Sequence, residues 1–137
     1  MSVLKGFLQP SPMEETTEVF ISNRFKGEDG NPLLFRIKKI DQETANAVRK
    51  KCTKTKKVNG TEQEIFDAAK YSSALMVECT LTPDFRDKEM CDYYKVIDPV
   101  SVPGRMLSIG EYGRLSDAIL AFNDFDTPEK IEEEAKN

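Results

Sequence analysis

The sequence predicts an α+β fold, mainly helical, in which an N-terminal β-hairpin packs on about four helices. Three observations carry this reading. Two segments of alternating polarity flank the turn formers Gly27-Glu28-Asp29-Gly30-Asn31-Pro32. Four later segments place apolar residues at helical spacing, three of them behind an aspartate positioned to cap. The length, 137 residues, is the usual size of one domain and buries roughly two thirds of the unfolded surface.

Residues 1–17 read as irregular. Gln9-Pro10-Ser11-Pro12 is an extended or turn stretch, because each proline biases its predecessor away from helix. Val3, Leu4, Phe7 and Leu8 precede it, and the sequence leaves open whether they pack on the domain or reach for a partner. Glu18 to Lys26 reads as a strand with Val19 and Ile21 on one face and Phe20, Ser22 and Arg24 on the other. Leu33 to Ile40 is its partner, with Phe35, Ile37 and Lys39 opposing Leu34, Arg36 and Lys38. An isolated hairpin is marginal in water, so this one needs a surface to pack on.

Asp41 caps a helix through about Lys51, with Ala45, Val48 and Cys52 at helical spacing. Thr53 to Thr61 then loses periodicity. Asn59-Gly60 is a turn signal, compatible with either a charged loop or a small exposed hairpin. Asp67 caps a second helix from Ala68 to about Thr80, whose core stripe reads Ala68, Tyr71, Leu75 and Cys79, with Ala69 and Met76 beside it. Pro83 marks a break, and Asp87 caps a short helix through Tyr94. Pro99, Pro103 and Gly104 punctuate the chain again. The final strong helix runs from Ile109 to Phe122, with Tyr112, Leu115, Ile119 and Phe122 on one face. Thr127-Pro128-Glu129 is a further helix-start signal, followed by mostly polar residues. The expected organisation is an irregular segment 1–17, one domain over 18–125, and an acidic tail 126–137.

The composition excludes several classes of function. No apolar run approaches the roughly 18 residues that span a bilayer, and the polar N-terminus does not read as a secretory signal. Cytoplasm is therefore the default location. Cys52, Cys79 and Cys91 match no zinc spacing and read as reduced, part-buried thiols. There is no histidine, which excludes Ser-His and Cys-His nucleophile pairs and the usual catalytic zinc ligands. No catalytic, cofactor-binding or metal-ligating residue emerges, although carboxylate-only mechanisms survive this test.

The net charge of −4 is unevenly placed. Asp124 to Asn137 holds six acids and two lysines, whereas Arg49 to Lys57 carries six positive charges and no acid. The basic run invites a nucleic-acid reading. Against that, the sequence pI is near 5.0 and no aromatic lies within the run to stack on bases. A solvated helix end suits it better, since cations favour the last turn. Gly27-x-x-Gly30 lacks phosphate-loop spacing. Acid pairs such as Asp84 with Asp87 do not fit an EF-hand loop and read as caps or solvated surface.

Several weak signals also fall in a familiar order. Phe7-Leu8-Gln9-Pro10-Ser11-Pro12 is followed by Glu18 to Lys26 and Gly30-Asn31-Pro32-Leu33-Leu34-Phe35-Arg36-Ile37. Lys50-Lys51-Cys52-Thr53-Lys54, Ala74-Leu75-Met76, Thr82-Pro83-Asp84-Phe85 and Met106 to Tyr112 come next, ending at Phe122-Asn123-Asp124-Phe125. The whole resembles the XkdN-like tail-assembly chaperones of PBSX-like phages and prophages. The resemblance implies a non-catalytic protein of the host bacterial cytoplasm that holds the tape-measure protein and helps recruit tail-tube subunits. It implies no cofactor, and a homo-oligomer is compatible with it. A tape measure is long, helical and apolar, so holding it needs an apolar groove of moderate affinity. The small residues and Met of the second helix suit such a groove, which makes Ala69, Ser72, Leu75 and Met76 the expected partner-binding patch. The competing readings are a tail structural or adaptor protein and a small nucleic-acid-binding regulator.

Overall fold

A computed structural model describes residues 3–124. The acidic tail 126–137 and the helix-start signal at Thr127 lie outside the described residues. The fold is α+β, and its centre is a short antiparallel sheet of three strands. Strand β2 (Phe35–Lys38) is the middle strand. It buries Phe35 and Ile37 and exposes Arg36, the alternation expected of a sheet covered on one face. Strand β1 (Thr16–Val19) pairs along its whole length with β2, from Thr16↔Lys38 to Val19↔Phe35. Strand β5 (Thr80–Thr82) closes the other side through Ile37↔Thr80 and Arg36↔Thr82, with a register irregularity between Arg36 and Ile37.

The N-terminal hairpin therefore exists, but its first strand is displaced from the expected Glu18–Lys26. The ladder ends at Val19, and the chain reappears beside its partner only as the isolated bridge Lys26↔Pro32. The reason is competition for backbone partners. The carbonyl of Ile21 accepts a hydrogen bond from Arg114 Nε at 2.8 Å instead of pairing in the sheet. Gly30, at φ 81°, makes the turn that glycine permits.

Helices cover the buried face of the sheet. Helix α2 (Gln42–Lys51) starts at Asp41, whose Oδ1 accepts the Thr44 N–H at 2.8 Å. It buries Ala45 and Val48, and Cys52 follows at its end. The segment left open between loop and hairpin is a hairpin, β3 (Thr53–Val58) and β4 (Thr61–Phe66). Asn59 at φ 53° and Gly60 at φ 78° give its two-residue turn the left-handed geometry that Asn-Gly accepts. Helix α3 (Ala68–Cys79) is capped by Asp67, which accepts from Lys70 N–H at 3.0 Å. Its buried side differs from the expected stripe. Leu75, Met76, Val77 and Cys79 are inside, while Ala68 is exposed and Tyr71 half-buried. The C-terminal half of α3 is enclosed from several directions, and the N-terminal half is not.

Helix α4 (Lys88–Tyr93) follows its Asp87 cap. The prolines at 99 and 103 stand at helix starts rather than in a break: Pro99–Ser101 is a 3-10 turn and Val102–Met106 is helix α5. Proline suits a first turn because its missing N–H would have no intrahelical partner there. Helix α6 spans Ile109–Phe122, the expected bounds. Its two early glycines are offset by a capping box, in which Glu111 N–H donates to Ser108 Oγ at 3.2 Å and Ser108 N–H donates to Glu111 Oε1 at 2.8 Å. One further helix was not expected. Val3–Leu8, in the segment read as irregular, forms α1 and buries none of its residues.

The core gathers Ile21, Phe35 and Ile37 from the sheet region, Met76, Val77 and Cys79 from α3, and Leu115 and Ile119 from α6, with Phe85 and Val102 beneath. One charged group lies among the buried residues, Glu111, at 2% exposure. Arg24 meets it with Nε at 2.8 Å and Nη2 at 2.5 Å, and the same Nη2 donates to the Met106 carbonyl at 3.0 Å. The Arg24 hydrogen bonds outweigh the burial penalty and, with the Ser108 N–H, hold the Glu111 carboxyl well below the usual carboxylate range. A group whose folded pKa is depressed contributes stability above its unfolded value, and that stability is lost as pH falls through the folded value. Glu111→Gln is therefore expected to cost about 1–3 kcal/mol at neutral pH. Denaturant titrations should also show a shallower loss of stability below pH 4.5, the carboxylate's ordinary value, than in the parent chain.

Candidate functional site

The expected patch lies on α3, where small residues follow one another at Ala69, Ser72, Ser73 and Ala74. These small side chains admit a side chain of α6. The Tyr112 hydroxyl lies 3.0 Å from Ser72 Oγ and 2.8 Å from Ser73 Oγ. Both contacts are satisfied when Tyr112 donates to Ser72 and accepts from Ser73. Tyr112 thus stands as a post between the two helices, with a depression on either side of it.

On the C-terminal side of the post, α3 and α6 form an apolar groove of about 190 Å³. Tyr71, Ser72, Leu75 and Met76 supply one wall, and Ser116, Ile119 and Leu120 the other. On the other side lies a broader depression of about 490 Å³, bounded by Ala69, Ser72 and Ser73 of α3, Gly104 and Leu107, and Ile109 and Tyr112 of α6. Ile109 stands fully exposed on its rim.

The four residues expected to bind a partner are divided by this geometry. Ser72 borders both depressions, and Ala69 is exposed beside the broader one. Leu75 and Met76 line the narrower groove, but at 6% and 1% exposure they form its floor and belong to the core. The α6 wall of Ser116, Ile119 and Leu120 was not foreseen. Leu120, at 37% exposure, is the apolar side chain of this groove most open to solvent. Its signal was present, since residues 116 and 120 flank the Leu115–Ile119 stripe. Nothing local, however, says that two helices so far apart in sequence share a groove.

The thiols lie inside the fold. All three cysteines are free and buried. Burial, and secondarily the neighbouring Glu78 carboxylate, pushes the Cys79 thiol up to about 12, so it stays protonated and unreactive at neutral pH. Among the described residues, no group of three or more His, Cys, Asp or Glu side chains is placed to hold a metal ion. No described helix is long and apolar enough to cross a membrane.

The family model of the phage XkdN-like tail assembly chaperone protein matches residues 4–136. The chain belongs to this family. It is 36% identical to the phage-like element PBSX protein XkdN of Bacillus subtilis (strain 168) over 137 residues, 96% of this chain and 93% of that one. It is 37% identical over 126 residues to YqbN of the same organism, covering 90% of this chain and 85% of YqbN. The fold is similar to the crystal structure of YqbN, with a TM-score of 0.70 at 30% identity over 88% of this chain and 95% of that one. The extended match agrees with the sequence resemblance, which also spread over nearly the whole chain rather than resting on one motif.

The post between the helices is testable in this XkdN-like chain. Tyr112→Phe removes both hydroxyl contacts and leaves the ring in place. It is expected to lower stability by about 1–2 kcal/mol in urea or guanidinium titration, with an unchanged far-ultraviolet circular dichroism spectrum.

Proposed function

We propose that this chain is a non-catalytic chaperone of tail assembly, working in the host bacterial cytoplasm, that binds the tape-measure protein and helps recruit tail-tube subunits to it. Its working unit is the expected domain 18–125 extended back to Thr16, where β1 pairs with β2, with the arm before it and the acidic tail 126–137 outside it. The observation that carries the reading is the open apolar groove between α3 and α6. A helix lays its apolar face into such a groove through side chains spaced three and four residues apart. A tape-measure segment, helical and apolar along one side, presents that pattern repeatedly.

The size of the groove also suits the task. At about 190 Å³ it accepts one or two aliphatic side chains, not a whole helix face. Each buried aliphatic side chain stabilises by about 1.5–3 kcal/mol. A contact of that size releases its partner when a subunit with more surface competes for it. Binding rather than catalysis is supported by the lack of histidine and by the buried, protonated Cys79. Ala69, Ser72, Leu75 and Met76 belong to this proposed surface, as do Ser116 and Leu120 across the groove.

Truncating the floor at Leu75 or Met76 would cost about 2–5 kcal/mol of stability, so the test belongs on the rim. Leu120→Asp and Ser116→Trp alter exposed or half-buried positions and spare the core. Each is expected to weaken binding of a tape-measure fragment at least about tenfold by calorimetry, with a melting temperature within about 4 °C of the parent. Parent-level affinity in both folded variants excludes the groove as the contact. No binding by the parent chain itself rejects the tape-measure reading.

A further inference from the structure

The hairpin β3–β4 plays no part in the groove, and its two faces differ. Residues directly opposite in an antiparallel register share a face. Lys54↔Ile65, Lys56↔Gln63 and Val58↔Thr61 therefore form one face, and Thr53↔Phe66, Thr55↔Glu64 and Lys57↔Glu62 the other. The second face turns toward the body at its base, where the Phe66 ring lies 5.4 Å from Tyr71 and the Arg49 guanidinium sits 4.2 Å above Phe66. It also holds both glutamates of the hairpin, with Lys57 opposite one of them. The first face holds two lysines, two aliphatic residues and no acid. Val58 and Ile65 stand 36% and 47% exposed on it. Among the described residues, no carboxylate forms an ion pair with Lys54 or Lys56.

An occupant that fits this face is acidic, with an apolar residue among its acids. The chain contains such a segment. Residues 125–137 carry Asp126, Glu129, Glu132, Glu133 and Glu134 around Ile131, with lysines at 130 and 136. The place from which this segment departs is fixed. Asn123 accepts the Ile40 N–H at 2.8 Å, just before α2, and α2 leads into β3. The ten residues of α2 rise about 15 Å, and the step from Lys51 to Lys54 adds about 10 Å. The 13 residues 125–137 span up to about 43 Å. Glu132, Glu133 and Glu134 therefore reach the two lysines.

We propose that the acidic tail binds within its own chain on the Lys54–Lys56 face of the hairpin, its glutamates beside the two lysines and Ile131 against Val58 and Ile65. Surface ion pairs are individually weak and screened by salt. A tether of this length, however, holds the tail near its site at about millimolar effective concentration. The tail of another molecule lacks that advantage. The contact covers two apolar side chains in the unengaged protein. It also closes this face to other acidic segments until a competitor displaces the tail, which makes it an autoinhibitory latch on a surface separate from the groove.

Hydrogen–deuterium exchange of residues 53–66 in the full chain tests this. Glu132→Gln, Glu133→Gln and Glu134→Gln together are expected to speed exchange of the hairpin amides about threefold. Raising the salt to about 0.5 M should do the same to the parent. The same tail substitutions made in a chain carrying Lys54→Thr and Lys56→Thr, which keep strand propensity, should change nothing, because the partners of the tail are gone. Equal exchange in the parent and the glutamine chain overturns the proposal, as does a tail effect that survives in the threonine chain. A tail effect that grows with protein concentration also overturns it, by assigning the contact to the tail of another molecule. Should the threonine hairpin fail to form, reversing both sides decides the matter. A chain with Lys54→Glu, Lys56→Glu, Glu132→Lys, Glu133→Lys and Glu134→Lys should recover the slow exchange of the parent. Hairpin exchange no slower than with Lys54→Glu and Lys56→Glu alone rejects the latch.

Discussion

Glu111 is a carboxylate with two duties. It completes the capping box of α6, and it accepts two hydrogen bonds from Arg24. A buried carboxylate without partners would be strongly destabilising, so this corner of the structure holds only when Arg24 is present. Arg24 lies on the long connection between β1 and β2, and its commitment to Glu111 draws that connection onto the start of α6. Arg114 repeats the device one turn along by donating to the Ile21 carbonyl. At the far end of the helix, Asn123 accepts the Ile40 N–H at 2.8 Å and donates to the Lys38 carbonyl at 3.2 Å. The longest helix among the described residues is thus fastened to the sheet region near both ends by polar contacts, while Leu115 and Ile119 pack between them.

The groove follows from that fastening. Because α6 is held by the sheet rather than by close packing along the whole of α3, the two helices need not seal against each other. They meet at the Tyr112 post, where α3 is made of serine and alanine, and leave depressions to either side. In the proposed role, a groove kept open by its own scaffold avoids the ordering cost that a collapsed one would add on binding. It also leaves apolar surface in water, the condition a chaperone accepts in exchange for an available site.

How much of this was legible in the sequence depended on the range of the interaction involved. Helices α2, α3 and α6 were readable because their caps and stripes are local: Asp41 and Asp67 precede their helices, and Leu115 and Ile119 repeat at helical spacing. The turn at Asn59-Gly60 is visible, but the strands beside it carry polar and charged residues on both faces, so no alternation separates hairpin from loop. Ile21 continues the alternation of Val19, which predicts a longer first strand, whereas its carbonyl is taken by an arginine 93 residues away. Glu111 was unreadable as a buried group, since a charged residue near a helix start looks like solvated surface until Arg24 is brought to it. The patch on α3 was half visible: its small residues stand together in sequence, but the opposing wall on α6 becomes a neighbour only through the fold.

In the proposed role, α3 and α6 present a preformed groove which takes a helical, apolar partner while the fastening of α6 stays intact. Hydrogen–deuterium exchange of the full chain, with and without a tape-measure-derived helical peptide, tests this most directly. Added protection should fall on residues 69–76 and 112–120, with exchange in the connection 20–34 unchanged. Protection confined to other segments, or faster exchange in 20–34 on binding, would contradict it.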